Sequence, residues 1–359
     1  MKAPVASAFR RKLDFLLPFR RGKGQDKGSI GMKRMLAGLI VALALSGACR
    51  GGSDSDGKLT IAVIPKGTTH AFWQMIHGGA EKAAQELGVT VIWRGPLRED
   101  DRASQISEVE GFITRGVSGI ALAPLDESAL ARPVADAQRQ NIPVVIFDSG
   151  LKGTDFVSFV ATDNRKGGRM AAEHIASRLN AKGKVVLLRY AEGHDSTTQR
   201  EEGFLEALAE HKGIEIVSSN QYLGADVEGA VRRGEAILSN YRNPDGSLGI
   251  DALFCVNEST TFALMRVLQD HGWAGKIKFV GFDASDNLIT GLADGHIDAL
   301  VIQDPVKMGY LAVKTLVSHI RGEKVEKRID TGVHLATAAN MNEPQMKELL
   351  KPDLSQWLK

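Results

Sequence analysis

From Lys58 onward, short runs of branched apolar residues alternate with longer segments whose apolar positions recur every three to four residues. Leu59–Ile64 has the pattern of a buried strand. Phe72–Leu87 follows it as a helix, with Phe72, Ile76, Ala80, Ala83, Ala84 and Leu87 on one face and Gly88 as its stop. Val89–Trp93 predicts the next strand. Asp101–Arg115 predicts a helix that turns Ile106, Val109, Phe112 and Ile113 toward the core. Ile120–Ala123, Glu127–Gln140 and Pro143–Phe147 repeat the strand–helix–strand cycle.

A second series follows Asp163. Helices over 165–179, 198–211, 226–239 and 260–271 alternate with strands at Lys184–Arg189, Ile214–Ser218, Ala252–Val256 and Lys276–Val280. Asn243-Pro244-Asp245-Gly246 is a turn-rich insert before Ala252. A helix over 286–294, a strand over 298–302, a helix over 306–321 and a final extended run Ile329–Leu335 complete the pattern.

Repeated βα units imply parallel sheets covered by helices on both faces. There are too many units for one sheet and no long linker. The fold class predicted is therefore α/β, with two similar doubly wound lobes joined by a multi-strand hinge. The N-terminal lobe takes residues 58–162 plus 304–333, and the C-terminal lobe 163–303 plus 334–359. The crossings fall near Asp163, Gln303 and Val333. Open α/β sheets place ligands at the carboxyl ends of their strands, and two such edges facing each other make a cleft.

Charge changes the picture at the N-terminus. The first 34 residues hold ten of the chain's 45 basic side chains and two of its 43 acidic ones, so the remainder carries a net charge of −6. A mildly acidic body lacks the footprint of a phosphate-backbone binder, and no nucleic-acid partner is expected. Met35–Ala48 is an uncharged apolar run behind Lys33 and Arg34. At roughly 14 residues it is short for a membrane span and suits a signal-peptide core, so residues 32–49 read as an export signal.

The run ends Leu45-Ser46-Gly47-Ala48-Cys49, which resembles a bacterial lipobox with Cys49 as the lipidated residue. Ser46 stands where the lipobox has its large aliphatic residue, and an ordinary cleaved signal is the other reading. Residues 50–57, rich in Gly, Ser and Asp, form a tether. Residues 1–31 fit no signal and read as an upstream mis-called start, with synthesis beginning at Met32. The only other cysteine, Cys255, sits in the apolar run Leu253–Val256 and is expected as a buried core residue.

The candidate chemistry lies at the strand ends. His70-Ala71-Phe72-Trp73 follows the first strand, Asp148 follows Phe147, Asn257 and Glu258 follow Val256, Asp283 follows Phe282, and Gln303 follows Ile302. Arg200 stands near the start of the helix after Arg189-Tyr190. Carboxylates, a guanidinium and side-chain amides can bond neighbouring hydroxyls in pairs, and aromatic rings cover the C–H faces of a sugar. Taken singly, Asp148, Asn257 and Asp283 also fit turn or helix caps, and Phe72 and Trp73 also fit a core.

Other chemistry is poorly served. His70 and His77 form no metal motif, and neither a nucleophile elbow nor a P-loop occurs. Gly78-Gly79 fits helix packing rather than phosphate binding. Asp148 and Asp283 as a glycosidase pair lack any group to activate water. Glu99-Asp100-Asp101-Arg102 reads as a solvated helix start. No enzyme activity, cofactor or metal is expected.

From about Lys58 to Asp330 the chain resembles the ribose-binding protein family, the type I periplasmic sugar-binding proteins. The resembling stretches are His70-Ala71-Phe72-Trp73, Leu122–Asp126, Ile142–Asp148, Thr162-Asp163-Asn164 with Gly167-Gly168, Arg200–Phe204, Phe254–Glu258, Val280–Asp283 and Gln303-Asp304-Pro305. The resemblance implies that Phe72, Trp73, Asp148, Arg200, Asn257, Asp283 and Gln303 contact a sugar, with Phe282 lining the pocket. The chain departs from the ribose pattern at Ser149, where that pattern has arginine, and at Ala123 and His70, where it has asparagine. The departures predict a roomier or less polar pocket and put ribose itself in doubt.

The function expected is an exported, monomeric substrate-binding protein of an ABC transporter. It captures a neutral monosaccharide or small polyol, delivers it to a membrane permease by hinge closure, and touches the membrane through its lipid. The alternative is a sensory receptor that binds a sugar or an autoinducer-type furanosyl ligand for a chemoreceptor or sensor kinase. A repressor of the lac type has the same body but needs an N-terminal helix-turn-helix where this chain has a signal.

Overall fold

The computed structural model describes residues 57–358. The expectations for residues 1–31, for the signal 32–49 with Cys49, and for the tether before Gly57 lie outside these residues.

The first series of units is β1 (Thr60–Ile64), α1 (Ala71–Leu87), β2 (Thr90–Trp93), α2 (Arg102–Arg115), β3 (Gly119–Leu122), α3 (Ala131–Arg139), β4 (Val144–Phe147) and β5 (Ser158–Ala161). The second is α4 (Asn164–Arg178), β6 (Lys182–Arg189), α5 (Asp195–Leu208), β7 (Gly213–Tyr222), α6 (Val227–Ser239), β8 (Ala252–Cys255), α7 (Glu258–Asp270), β9 (Lys278–Phe282), α8 (Asp286–Ala293) and β10 (Ala299–Ile302). The chain closes with α9 (Pro305–Ile320), β11 (Arg328–Asp330), β12 (His334–Ala336) and α10 (Pro344–Leu350).

Two six-stranded sheets result, in the orders β11-β5-β4-β3-β1-β2 and β12-β10-β9-β8-β6-β7. The orders are the same pattern used twice. The first sheet is parallel throughout, and the second is parallel except for β12, which runs antiparallel to β10. This is the α/β architecture expected, in two lobes. β4 in the first lobe and β9 in the second hold equivalent places.

The central strands of each sheet are buried on both faces, which is why they read as unbroken apolar runs rather than alternating ones. In β1, Ala62 and Ile64 face one apolar cluster, and Ile61 and Val63 face the other. In β6, Val185 and Leu187 face one cluster, and Val186 and Leu188 face the opposite one, which also holds Cys255. Cys255 is fully buried, and burial pushes its thiol well up.

The lobes exchange a helix. α4 follows β5 of the first sheet and packs on α5, whereas α9 follows β10 of the second sheet and packs on α1. Both helix pairs cross at glycines. A Cβ on Gly79 would strike the Val306 carbonyl and one on Gly309 the Ile76 carbonyl; Gly168 meets the Arg200 carbonyl and Gly203 that of Arg165. The Gly78-Gly79 pair is thus packing, with Gly78 against Leu354.

The structure departs from the periodicity reading in four places. β5 and α10 were not expected. The run Ile329–Leu335 is not one strand: it splits at Thr331–Val333, where Gly332 adopts φ 94°, so β11 and β12 join different sheets. The predicted helix Glu127–Gln140 begins only at Ala131, because the Asp126 carboxylate first closes a turn on the N–H groups of Ser128 and Ala129. Three segments therefore pass between the lobes, at Thr162–Asp163, Gln303–Asp304 and Thr331–Val333. They are tied together by Thr162 Oγ1 with Thr331 Oγ1 (3.3 Å) and by Arg328 to the Thr162 carbonyl (3.1 Å).

Candidate ligand site between the lobes

The carboxyl ends of both sheets meet around a small polar space between the lobes. Lys66, His70, Phe72, Trp73, Glu99 and Asp148 line it from the first lobe. Tyr190, Ser196, Thr197, Arg200, Asn257, Glu258 and Asp283 line it from the second, with Gln303 at a crossing.

Asp148 and Asp283 are equivalent residues, one past β4 and one past β9. Both adopt the left-handed conformation, at φ 63° and 68°. Each N–H is fixed on the neighbouring strand, Asp148 to the Val160 carbonyl (3.0 Å) and Asp283 to the Val301 carbonyl (2.8 Å). The turn aims both carboxylates into the cleft.

Around them the site is built from ion pairs. Lys66, 3% exposed, lies 2.8 Å from Asp148 and donates to Ser196 Oγ (3.1 Å). Arg200, 2% exposed, donates to Asn164 Oδ1 (2.8 Å) and to the Val256 carbonyl (2.9 Å), with Asp283 at 3.9 Å. Burial pulls the Arg200 guanidinium down and pushes the Asp283 carboxyl up, against their mutual attraction. Gln303 donates to Asp283 Oδ1 (2.7 Å), and its own Oε1 has no partner in the protein.

Glu99 is the hub of the first lobe's side. One oxygen accepts from Trp73 Nε1 (2.7 Å) and pairs with His70 Nδ1 (3.0 Å); the other accepts from the Tyr190 hydroxyl (3.0 Å) across the cleft. Burial favours its neutral form, but His70, Lys66 and Trp73 outweigh burial and hold the carboxyl down at about 2. Burial also works against a charged His70, and Glu99 overcomes it to hold the imidazole up at about 8. Burial and the charge of Glu99 push the Tyr190 phenol well up, so it remains a donor. Among the described residues no group of three or more His, Cys, Asp or Glu could hold a metal ion, and no helix is long and apolar enough to cross a membrane.

The model of the periplasmic binding protein domain matches residues 61–324. The chain belongs to the periplasmic binding protein family. This binding protein is 34% identical to a carbohydrate transporter solute-binding protein of Agrobacterium radiobacter solved with D-arabinose, at a TM-score of 0.76 over 83% of this chain and 100% of that one. A solute-binding protein of Agrobacterium vitis with bound D-fucose is 32% identical, with a TM-score of 0.74 over 81% of this chain and 100% of that one. The ribose import binding protein of Haemophilus influenzae is 29% identical over 301 residues, 83% of this chain and 97% of its own length. The family is one of transport receptors, not enzymes.

The cavity of this binding protein brings together Phe72, Trp73, Asp148, Arg200, Asn257, Asp283 and Gln303. Phe72 and Trp73 also belong to the apolar core, and Asn257 also caps α7 by accepting from the Thr260 N–H. Phe282 does not line the space. It is fully buried one layer behind, its ring centroid 3.7 Å from the Arg200 guanidinium carbon, and it supports that side chain from below.

One expectation here is corrected. Glu99 is no solvated helix start: it is buried at the centre of the site, while Asp101 caps α2 by accepting from the Ser104 N–H. At Ser149, where the ribose pattern has arginine, the cation beside Asp148 is Lys66, which reaches it from the end of β1. Lys66, Glu99 and Tyr190 were not singled out from the sequence, and Glu258, named at its strand end, was given no contact role. Lys66, Tyr190 and Glu258 share the strand-end signal that marked Asp148; Glu99 carries no local signal.

Proposed function

We propose that this protein is the exported receptor of an ABC-type sugar importer. It captures a neutral monosaccharide or small polyol between its lobes and presents it to the permease by hinge closure. The observation that carries this reading is the balance of the cavity wall. Lys66 with Asp148, Arg200 with Asp283 and His70 with Glu99 supply charges that cancel in pairs. The unpartnered oxygen of Gln303 accepts from a ligand that brings O–H donors. Phe72 and Trp73 offer a C–H face its place.

A phosphate would meet four carboxylates in this space. A hydroxylated neutral ring meets both donors and acceptors at hydrogen-bonding range. The relatives solved with D-arabinose and D-fucose, and the ribose import relative, support a single-ring sugar.

The test is a thermal-shift screen against pentoses, hexoses, deoxy sugars, polyols, nucleosides, amino acids and sugar phosphates. A neutral sugar at about 100 times its Kd should stabilise the fold by about 2.7 kcal/mol. A shift with an amino acid or a phosphorylated compound, and none with any sugar or polyol, would overturn the reading.

A further inference from the structure

Three of the four carboxylates around the cavity have a cation of their own. Asp148 has Lys66 at 2.8 Å, Glu99 has His70 at 3.0 Å, and Asp283 has Arg200 at 3.9 Å. The fourth, Glu258, has none. His70 lies 3.9 Å from Glu258 Oε2 but is already hydrogen-bonded to Glu99, and Glu258 Oε2 is buried without a hydrogen-bond partner in the protein. Glu258 is the first residue of α7, next to the cap Asn257, and the α7 N-terminus opens onto the ligand space.

The groups facing it come from every element around it. His70 at the start of α1 and Ser285 before α8 favour its charged form, and Glu99 before α2 and Asp283 after β9 disfavour it. With Glu258 ionised, the four carboxylates exceed the three cations by one. With Glu258 neutral, the wall is balanced and matches an uncharged ligand.

We propose that Glu258 is a ligand-contacting residue that meets the sugar as a neutral carboxylic acid, so that capture of a neutral sugar takes up a proton. This rests on the sugar-receptor reading above. The protonated acid gives Oε2 an O–H that can donate to a sugar oxygen, whereas the carboxylate can only accept. Closing a ligand over the site removes the water that steadies the charged form and favours the acid further. Burial already pushes this carboxyl up to about 7, so the proton is available near neutral pH.

The sign follows from linkage. The carboxyl is raised further in the bound state, so affinity is full below the free-state value and is lost as pH rises through the bound-state value. The fall approaches about tenfold per pH unit across that window.

The experiment titrates the full chain with whichever of D-ribose, D-arabinose, D-allose and D-fucose binds, by calorimetry from pH 6 to 9. At each pH two buffers of different ionisation enthalpy are used. Uptake of up to one proton per sugar above pH 7, with Kd rising in step, is expected in the wild type. In Glu258→Gln, which keeps the shape of the acid without its proton, uptake should vanish and the profile should flatten. His70→Asn and Glu201→Gln separate the other groups raised toward neutral pH at the site and behind it, and both should leave uptake in place. Binding without proton uptake in the wild type overturns the inference whether or not the variants fold. So does uptake that survives in Glu258→Gln. Absence of heat with every neutral sugar would instead sink the sugar-receptor reading itself.

Discussion

A left-handed aspartate is an expensive residue, and this cavity uses two. An L side chain at φ near +65° crowds its own carbonyl by about 1–2 kcal/mol, a cost glycine does not bear. Asp148 and Asp283 keep that conformation because their N–H groups are locked onto β5 and β10 and their carboxylates are held by Lys66, Arg200 and Gln303. Replacing Asp148 by Gly and by Ala removes the same carboxylate but differs in backbone strain. Asp148→Gly should therefore be more stable than Asp148→Ala by about 1 kcal/mol in urea unfolding. Neither should bind sugar. Equal stability of the two variants would show that the turn is relaxed.

These aspartates were legible because each follows an apolar strand-like run ending in Phe. Glu99 was not, because in sequence it sits among Arg98, Asp100, Asp101 and Arg102, a composition that ordinarily faces water. Its burial comes from three distant donors, His70, Trp73 and Tyr190, which only the folded topology assembles.

At the scale of elements, the helix crossing of α4 on α5 places Arg200. Gly168 lets α4 rest directly on the Arg200 carbonyl, while Asn164, at the start of the same helix, accepts a hydrogen bond from the guanidinium at 2.8 Å. A methyl at residue 168 has no space and must push the helices apart. Gly168→Ala should cost about 1–3 kcal/mol of stability, the range for overpacked sites. It should also weaken sugar binding, although residue 168 does not line the cavity. Denaturant unfolding and calorimetry measure both, and a stability loss with unchanged affinity would uncouple the crossing from the site.

Helices and central strands were readable because full burial and 3.6-residue spacing leave strong patterns. The two elements that escaped are short and lie late or at a turn. β5 has only four residues, after a loop of glycine and polar residues, and α10 is a seven-residue helix that buries only Met346 and Leu350. The split between β11 and β12 was hidden for another reason. A continuous extended run looks the same whether it stays in one sheet or crosses to the next.

At the scale of the molecule, the two lobes touch each other directly as well as through any ligand. The loop after β6 and the first residues of α5 carry these contacts. Gly150 donates to Asp195 Oδ2 (2.9 Å), Ser196 donates its N–H to Ser149 Oγ (3.1 Å), and Glu127 donates to the Gly193 carbonyl (3.2 Å). On the far side the C-terminal residues also join the lobes. Met346 and Leu350 of α10 sit in the second lobe's core, whereas Leu354 lies against Gly78 of α1 and the Trp357 ring lies 5.2 Å from Lys82 Nζ.

Closure thus has its own protein–protein contacts at the cleft lip, and these add to whatever the sugar contributes. A ligand shifts the open–closed equilibrium only by its differential affinity for the two states, and a lip contact biases the same equilibrium without touching ligand. Asp195 does not line the cavity, so Asp195→Ala isolates the lip. Loss of one charge-assisted hydrogen bond, worth about 1.5–3 kcal/mol, should lower sugar affinity by about tenfold or more. Small-angle scattering should show wild-type protein contracting on saturation with sugar, and Asp195→Ala should be more extended without sugar yet reach the same dimensions at saturation. Identical scattering with and without sugar in both proteins would refute hinge closure. An unchanged affinity in Asp195→Ala would place the energy of closure in the ligand contacts alone.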